Sequence, residues 1–200
     1  MAKQRLSDPI NTENMYRKGE SFHFVARYLQ HGGLRALGGG WCAWPTSLAF
    51  ACEAYLKVLA QVERNEPPFS THNLRELFHD LLPSTQRELR KRWLKRDGKM
   101  LKQKPLPMPG IAKHAKTFEE ALDLSAKAFV DWRYNDASSS SWQLGSLPEI
   151  LREHLLMLRP DWRPFAGVVA SILNPHPDFI KPESEKPPPV FPPGFRPLNH

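Results

Sequence analysis

Two histidines and one arginine lie close together in the chain, at His72, Arg75 and His79. On a helix that begins near Thr71, with about 100° per residue, these three side chains project within about 60° of one another. Two imidazoles and a guanidinium on one face could bind phosphate or exchange protons near neutral pH. They are therefore candidate catalytic residues of a metal-independent ribonuclease, in which Arg75 would stabilise the phosphorane charge. A solvated polar helix face is the alternative interpretation.

Basic side chains are concentrated in one segment. Residues 87–116 contain eleven Lys or Arg and two acidic residues, a net +9, whereas the whole chain carries +7. Such a block attracts phosphate backbones or an acidic protein. The alternative is a solvated helix face that serves solubility. The candidate nucleic-acid-binding residues are Arg87, Arg90, Arg92, Lys95, Arg96 and Lys102.

A third candidate site is a polar pair at the edge of the core. Glu53 and Lys57 are four residues apart, a spacing that pairs opposite charges on a helix. Arg133 follows Trp132 near the end of a later expected helix. Because a half-buried charge needs a partner, we expect Glu53 and Arg133 to meet as a hydrogen-bonded ion pair. Separate exposure of each side chain to water is the alternative.

Three short motifs follow one another along the chain. They are E-x-x-L-K at 53–57, H-x-L-x-x-L-F at 72–78 and W-R-Y at 132–134. With these motifs, residues 15–160 resemble the bacterial HEPN-domain proteins. The resemblance implies a helical bundle and frequent homodimerisation. It also implies membership of a superfamily that contains metal-independent RNases of toxin–antitoxin and phage-defence systems beside non-catalytic binders of nucleic acids or nucleotides.

One motif of the active HEPN nucleases is missing from its usual place. In those enzymes an Arg is followed, after four to six residues, by a His in a late helix. Here only Arg17 and His23 have that spacing, and they lie in the first expected helix. The first histidine after Arg133 is His154, which is far out of range. We therefore expect a non-catalytic or degenerate HEPN-like protein that binds RNA, a nucleotide or a partner protein.

The sequence lacks the motifs of several classes of enzyme and metal-binding protein. It contains no GxSxG, HExxH, GxxxxGK[ST] or GxGxxG pattern, so no cofactor is expected. The two cysteines come without CxxC or paired-histidine spacing, which predicts neither a metal site nor a disulfide. No apolar run is long enough for a membrane span, and no apolar stretch of a secretory signal follows the N-terminus. We expect a cytoplasmic protein that does not bind membranes.

Helical patterns must position these candidate residues. Apolar residues recur at helical spacing through most of the first 173 residues, and strand patterns are weak. The sequence predicts an all-α antiparallel bundle of five to seven helices. Three helix starts carry the spacing of a capping box. The boxes are Thr85 with Glu88, Thr117 with Glu120, and Ser146 with Glu149.

A set of apolar residues on these helices is predicted to form the core. His154 falls on the apolar side of the last helix, between Leu151 and Leu155, which predicts a hydrogen-bonded core histidine. The predicted core residues are Leu48, Cys52, Leu56, Leu59, Leu77, Phe78, Phe129 and Trp132.

Proline divides the chain. Residues 1–173 are expected to be one helical domain, with a Lys- and Pro-rich loop at 98–116. Nine of the twenty prolines lie in residues 174–200, which predicts an extended tail. Such a tail could dock to a partner, so an interaction scaffold is a further functional alternative.

Overall fold

A computed structural model describes residues 4–30, 43–98, 115–126 and 144–162 of the chain. Within these ranges the chain forms helices and no β-strand, so the predicted all-α class is confirmed. The predicted Pro-rich tail and the greater part of the 98–116 loop lie outside the described residues. The helices are α1 (Thr12–Tyr28), α2 (Ala43–Arg64), α3 (Leu74–His79), α4 (Pro83–Asp97), α5 (Phe118–Ser125) and α6 (Leu147–Leu158).

Helix α2 lies at the centre of the described bundle. Its side chains are buried on most of its circumference between Ala49 and Ala60, as expected for a helix that is apolar nearly all round. Helix α1 packs along it, and α3 and α6 also contact it. Gly19 permits the close approach of α1, because a Cβ there would lie 2.6 Å from a ring carbon of Tyr55.

The apolar core agrees with the sequence pattern where the structure describes it. Leu77 and Phe78 of α3 are fully buried, and the Phe78 ring contacts that of Phe118 edge to face. Trp93 of α4 also contacts Phe118, and its indole N–H donates to the Leu144 carbonyl at 2.8 Å. Of the predicted core residues, Phe129 and Trp132 lie outside the described residues, and the buried ones are Leu48, Cys52, Leu56, Leu59, Leu77 and Phe78.

Helix α3 begins later than the sequence suggested. The side chain of Asn73 accepts hydrogen bonds from the backbone N–H groups of Arg75 and Glu76. Thr71 instead accepts from the N–H of Asn73, in a turn before the helix. Asn is among the most effective N-cap residues, so the helix starts at Leu74. His72 therefore precedes the helix, and its expected place on one helical face with Arg75 and His79 is wrong.

The predicted capping boxes had different outcomes. Helix α4 begins at Pro83, because the fixed φ of proline suits the first helical position, and Thr85 donates to Glu63 instead of capping. The box at Thr117 is confirmed, since its side chain accepts from the N–H of Glu120. Helix α6 starts after Ser146 as expected, but the Ser146 hydroxyl donates to Asp97 at 2.9 Å.

Candidate functional site

The three candidate catalytic residues each pair with a different carboxylate. Arg75 Nη1 lies 2.6 Å from Asp123 Oδ1 of α5. His79 Nε2 lies 3.6 Å from Glu119 Oε2, one turn earlier on the same helix. His72 contacts Glu53 of α2 instead. Arg75 and His79, one turn apart on α3, thus pair with two acids one turn apart on α5, whereas His72 pairs with Glu53 of α2.

Glu53, Lys57 and His72 form a polar group on α2. The buried Lys57 ammonium donates to Glu53 Oε1 at 2.8 Å, and His72 Nδ1 lies 3.0 Å from both carboxylate oxygens. Glu53 therefore contacts both the buried ammonium of Lys57 and the exposed imidazole of His72. Sequence reasoning missed His72 as a ligand of Glu53, because that contact depends on how the loop before α3 packs. Arg133 lies outside the described residues, so its pairing with Glu53 stays a prediction.

Three of the four candidate nucleic-acid-binding arginines form ion pairs with acids of other helices. Arg90 forms an ion pair with Glu119 of α5. Arg92 Nη2 lies 2.6 Å from Glu153 Oε2, and Arg96 Nη2 lies 3.2 Å from Glu153 Oε1. These acids stand on neighbouring helices, far from α4 in sequence. The net charge counted over residues 87–116 therefore did not include Glu119 and Glu153.

A row of three cations remains on the outer face of α4. Arg87, Lys91 and Lys95 are exposed, and none of them forms an ion pair among the described residues. They are spaced at i, i+4 and i+8, which places them within about 80° of one another around the helix. We call these three residues the basic row. Lys91 was absent from the sequence-based candidate set, although its i+4 relation to Arg87 and Lys95 was a usable signal. Lys102 lies outside the described residues.

A second polar group, buried between α1, α2 and α6, was not predicted. Glu20 of α1 is 8% exposed and accepts two hydrogen bonds on one oxygen. The Tyr55 hydroxyl donates at 2.6 Å and Arg152 Nε donates at 2.7 Å. Two donors, one of them cationic, offset the cost of removing this carboxylate from water. Burial raises the pKa of Tyr55 well above its ordinary value, so its hydroxyl keeps the proton that it donates.

His23 extends this group toward Glu149 of α6. His23 Nε2 lies 3.0 Å from Glu149 Oε1, and its Nδ1 lies 3.5 Å from the Tyr55 hydroxyl. Burial acts to raise the pKa of Glu149, but the hydrogen bond and charge of His23, a backbone hydrogen bond and the charge of Arg27 together outweigh it, so the pKa is lowered. Arg17, which shares the HEPN-type spacing with His23, lies on the exposed side of α1 and pairs with Glu13. Arg17 and His23 therefore contact two different acids, Glu13 and Glu149.

His154 is half-buried between α6 and α4. Its Nδ1 and Nη1 of Arg92 are both buried, and neither has a hydrogen-bond partner in the described structure. The expected hydrogen bond of a core histidine is thus not made at Nδ1. Burial lowers the pKa of His154, and the nearby Arg92 acts in the same direction, against Glu63 and Glu88.

Within the described ranges, no group of three or more His, Cys, Asp or Glu side chains could hold a metal ion, and no helix is long and apolar enough to cross a membrane. Comparison of the chain with protein-family models, with curated proteins and with solved structures finds no match. The HEPN resemblance therefore stays a hypothesis that rests on the three sequence motifs.

Proposed function

We propose that this chain is a non-catalytic, HEPN-like helical protein that binds RNA through the basic row of α4. The observation that carries the proposal is the contrast between two sets of cations on one helix. Arg90, Arg92 and Arg96 form ion pairs with Glu119 and Glu153, whereas Arg87, Lys91 and Lys95 are exposed and form no ion pair among the described residues. Cations in such a row attract the phosphates of a nucleic acid backbone.

Binding without cleavage is favoured over catalysis by the positions of the candidate acid–base groups. An RNase that uses His72, Arg75 and His79 needs them around one phosphate. Each of them instead contacts a separate carboxylate, at Glu53, Asp123 and Glu119. Homodimerisation and a defence or toxin–antitoxin setting belong to the same proposal, because the HEPN resemblance implies them.

The test is fluorescence anisotropy of labelled poly(U) with the full chain at three salt concentrations. We expect the affinity to fall steeply with salt, because each neutralised phosphate releases condensed counterions. The triple variant R87Q/K91Q/K95Q should flatten the log–log slope by up to about 2, at roughly 0.7 per lost contact on a single strand. Both proteins keep the lysines that follow α4 in the sequence. The difference between the slopes of the natural chain and the triple variant therefore reports on the basic row alone.

The matched control is R17Q/K18Q/R27Q, which removes three exposed cations from α1. Both variants lower the net charge equally, so a general charge effect would change both slopes alike. An unchanged slope for R87Q/K91Q/K95Q, or no binding by the natural chain at physiological salt, contradicts the proposal. Cleavage of the poly(U) in the presence of EDTA would show instead that the protein is a metal-independent RNase.

A further inference from the structure

The segment before α1 lies against the loop between α2 and α3 and against the residue that follows α3. We infer that residues 4–6 occupy an arginine-binding site for an extended peptide, and that an arginine-bearing segment of a partner protein can take their place. RNA binding by the basic row is not required for such an exchange.

The guanidinium of Arg5 is bound on several sides. Its two terminal nitrogens donate to the carboxylate of Asp80 at 2.9 and 3.3 Å, and Nη1 also donates to the Pro67 carbonyl at 2.7 Å. Its Nε lies 3.5 Å from Glu66 Oε2, and its central carbon lies 4.6 Å from the centre of the Phe69 ring. Asp80 is only 2% exposed. A buried carboxylate that accepts a fork of N–H groups beside an aromatic face is suited to arginine and not to lysine.

The backbone of the same segment is paired with the loop. One antiparallel bridge joins residues 4–6 to it. The Leu6 N–H donates to the Pro68 carbonyl at 3.0 Å, and the Ser70 N–H donates to the Gln4 carbonyl at 2.8 Å. Backbone pairing of an extended segment, together with a pocket for one of its side chains, is a recurring mode of peptide recognition. The chain's own N-terminal segment is therefore bound in the way that a separate peptide would be.

An exposed link connects this segment to α1. Residues 7–9 are exposed, and their one hydrogen bond among the described residues joins Ser7 to Asp8. After the link, the backbone N–H and carbonyl of Ile10 both bond to the side-chain amide of Gln61 at 2.8 Å. Residues 4–6 can therefore leave the loop while Ile10 still holds the start of α1 against α2.

Asp80 keeps a cationic neighbour when Arg5 leaves. Nε of Arg64 donates to the Asp80 carbonyl at 2.5 Å and lies 3.6 Å from its Oδ1. Removing the partner of a buried charge is strongly destabilising when the charge is left uncompensated, and Arg64 prevents that here. Exchange of one arginine for another at Asp80 therefore does not require the bundle to unfold. Because a short tether gives Arg5 an effective concentration on the order of millimolar, a partner segment must bind more tightly than the chain's own.

The first experiment uses the full-chain variant R5A and a fluorescein-labelled peptide with the sequence of residues 4–9. We expect saturable binding by anisotropy, and at least about tenfold weaker binding by the natural chain, in which Arg5 occupies the site. The same peptide with lysine in place of arginine, and the variant R5A/D80N with the original peptide, should each lose about tenfold or more in affinity, because the fork of hydrogen bonds is lost. No binding to R5A at about 1 mM peptide, or equal binding of the arginine and lysine peptides, overturns the inference.

The second experiment locates the bound peptide by amide hydrogen exchange. In R5A the N–H groups of Leu6 and Ser70 should both lose protection, since each is bonded across the bridge. Excess peptide should restore the protection of Ser70, which then donates to the peptide, while Leu6 of the displaced segment stays unprotected. If Ser70 stays unprotected, the peptide binds elsewhere and the inference is wrong. If Leu6 is still protected in R5A without peptide, backbone bonds alone hold the segment, which also contradicts exchange.

The natural chain provides the same measurement without a substitution, so the inference stays testable if R5A does not fold. Peptide at a concentration on the order of 10 mM should speed the exchange of Leu6 and leave Ser70 protected, because the peptide replaces residues 4–6 on the same loop. The control K18A removes one exposed cation from α1 and should change the exchange of neither amide. If Leu6 of the natural chain keeps its full protection at that concentration, the segment is not exchangeable and the inference fails, whatever the outcome of the poly(U) experiments.

Discussion

At the scale of single residues, charge alone did not reveal which groups are available to a ligand. Arg92 and Lys95 are three residues apart on α4, yet Arg92 is bound to Glu153 and Lys95 faces water. Both cations are visible in the sequence, but Glu153, which pairs with Arg92 and not with Lys95, lies 61 residues away from Arg92. Glu20 and His23 were missed for the same reason, because their partners Arg152 and Glu149 stand on the last described helix. Side chains that meet across helices leave no local pattern.

His154 makes one prediction at this scale. Its pKa in the folded state is lowered from the ordinary 6.5, chiefly by burial, so protonation favours the unfolded chain. The free energy of unfolding should therefore fall as the pH drops through and below about 6.5. The variant H154Q should lose part of this decrease between pH 7 and pH 5, measured by urea titration. If H154Q and the natural chain show the same pH dependence, burial of His154 is not its cause.

At the scale of elements, the sequence predicted helices better than their starts. Periodic apolar residues established α2 and the faces of α5 and α6, since a buried stripe needs that spacing whatever the partner. The start of α3 was wrong because Asn73 outcompetes Thr71 as a cap, and this one shift removed His72 from the expected catalytic face. The start of α4 was wrong because Pro83 occupies the first helical position, so Thr85, the expected cap, lies inside the helix.

Phe78 tests the packing of α3 against the other elements. It is fully buried and contacts the ring of Phe118, so Phe78→Ala should lower the free energy of unfolding by about 3–5 kcal/mol. The control Met157→Ala truncates a side chain that is 62% exposed and should change it by no more than about 0.5 kcal/mol. Both values come from urea titration. Equal costs for the two variants would mean that α3 is docked in another way.

At the scale of the whole molecule, the buried polar group joins the start of the bundle to its end. Arg152 of α6 reaches Glu20 of α1 across 132 residues of sequence, and Tyr55 of the central helix donates to the same oxygen. Replacing Arg152 by Met should cost about 3–5 kcal/mol of unfolding free energy, because the Glu20 charge then stays buried without its cationic partner. The double variant E20Q/R152M should recover much of that loss, since no uncompensated charge remains and Gln can still accept from Tyr55. Urea titration of both single variants and the double variant gives the coupling energy, and strict additivity of the two single costs would contradict the buried ion pair as a connection between α1 and α6. The poly(U) salt slope of the double variant should equal that of the natural chain, because the basic row lies on α4 and the pair that the variant removes joins α1 to α6.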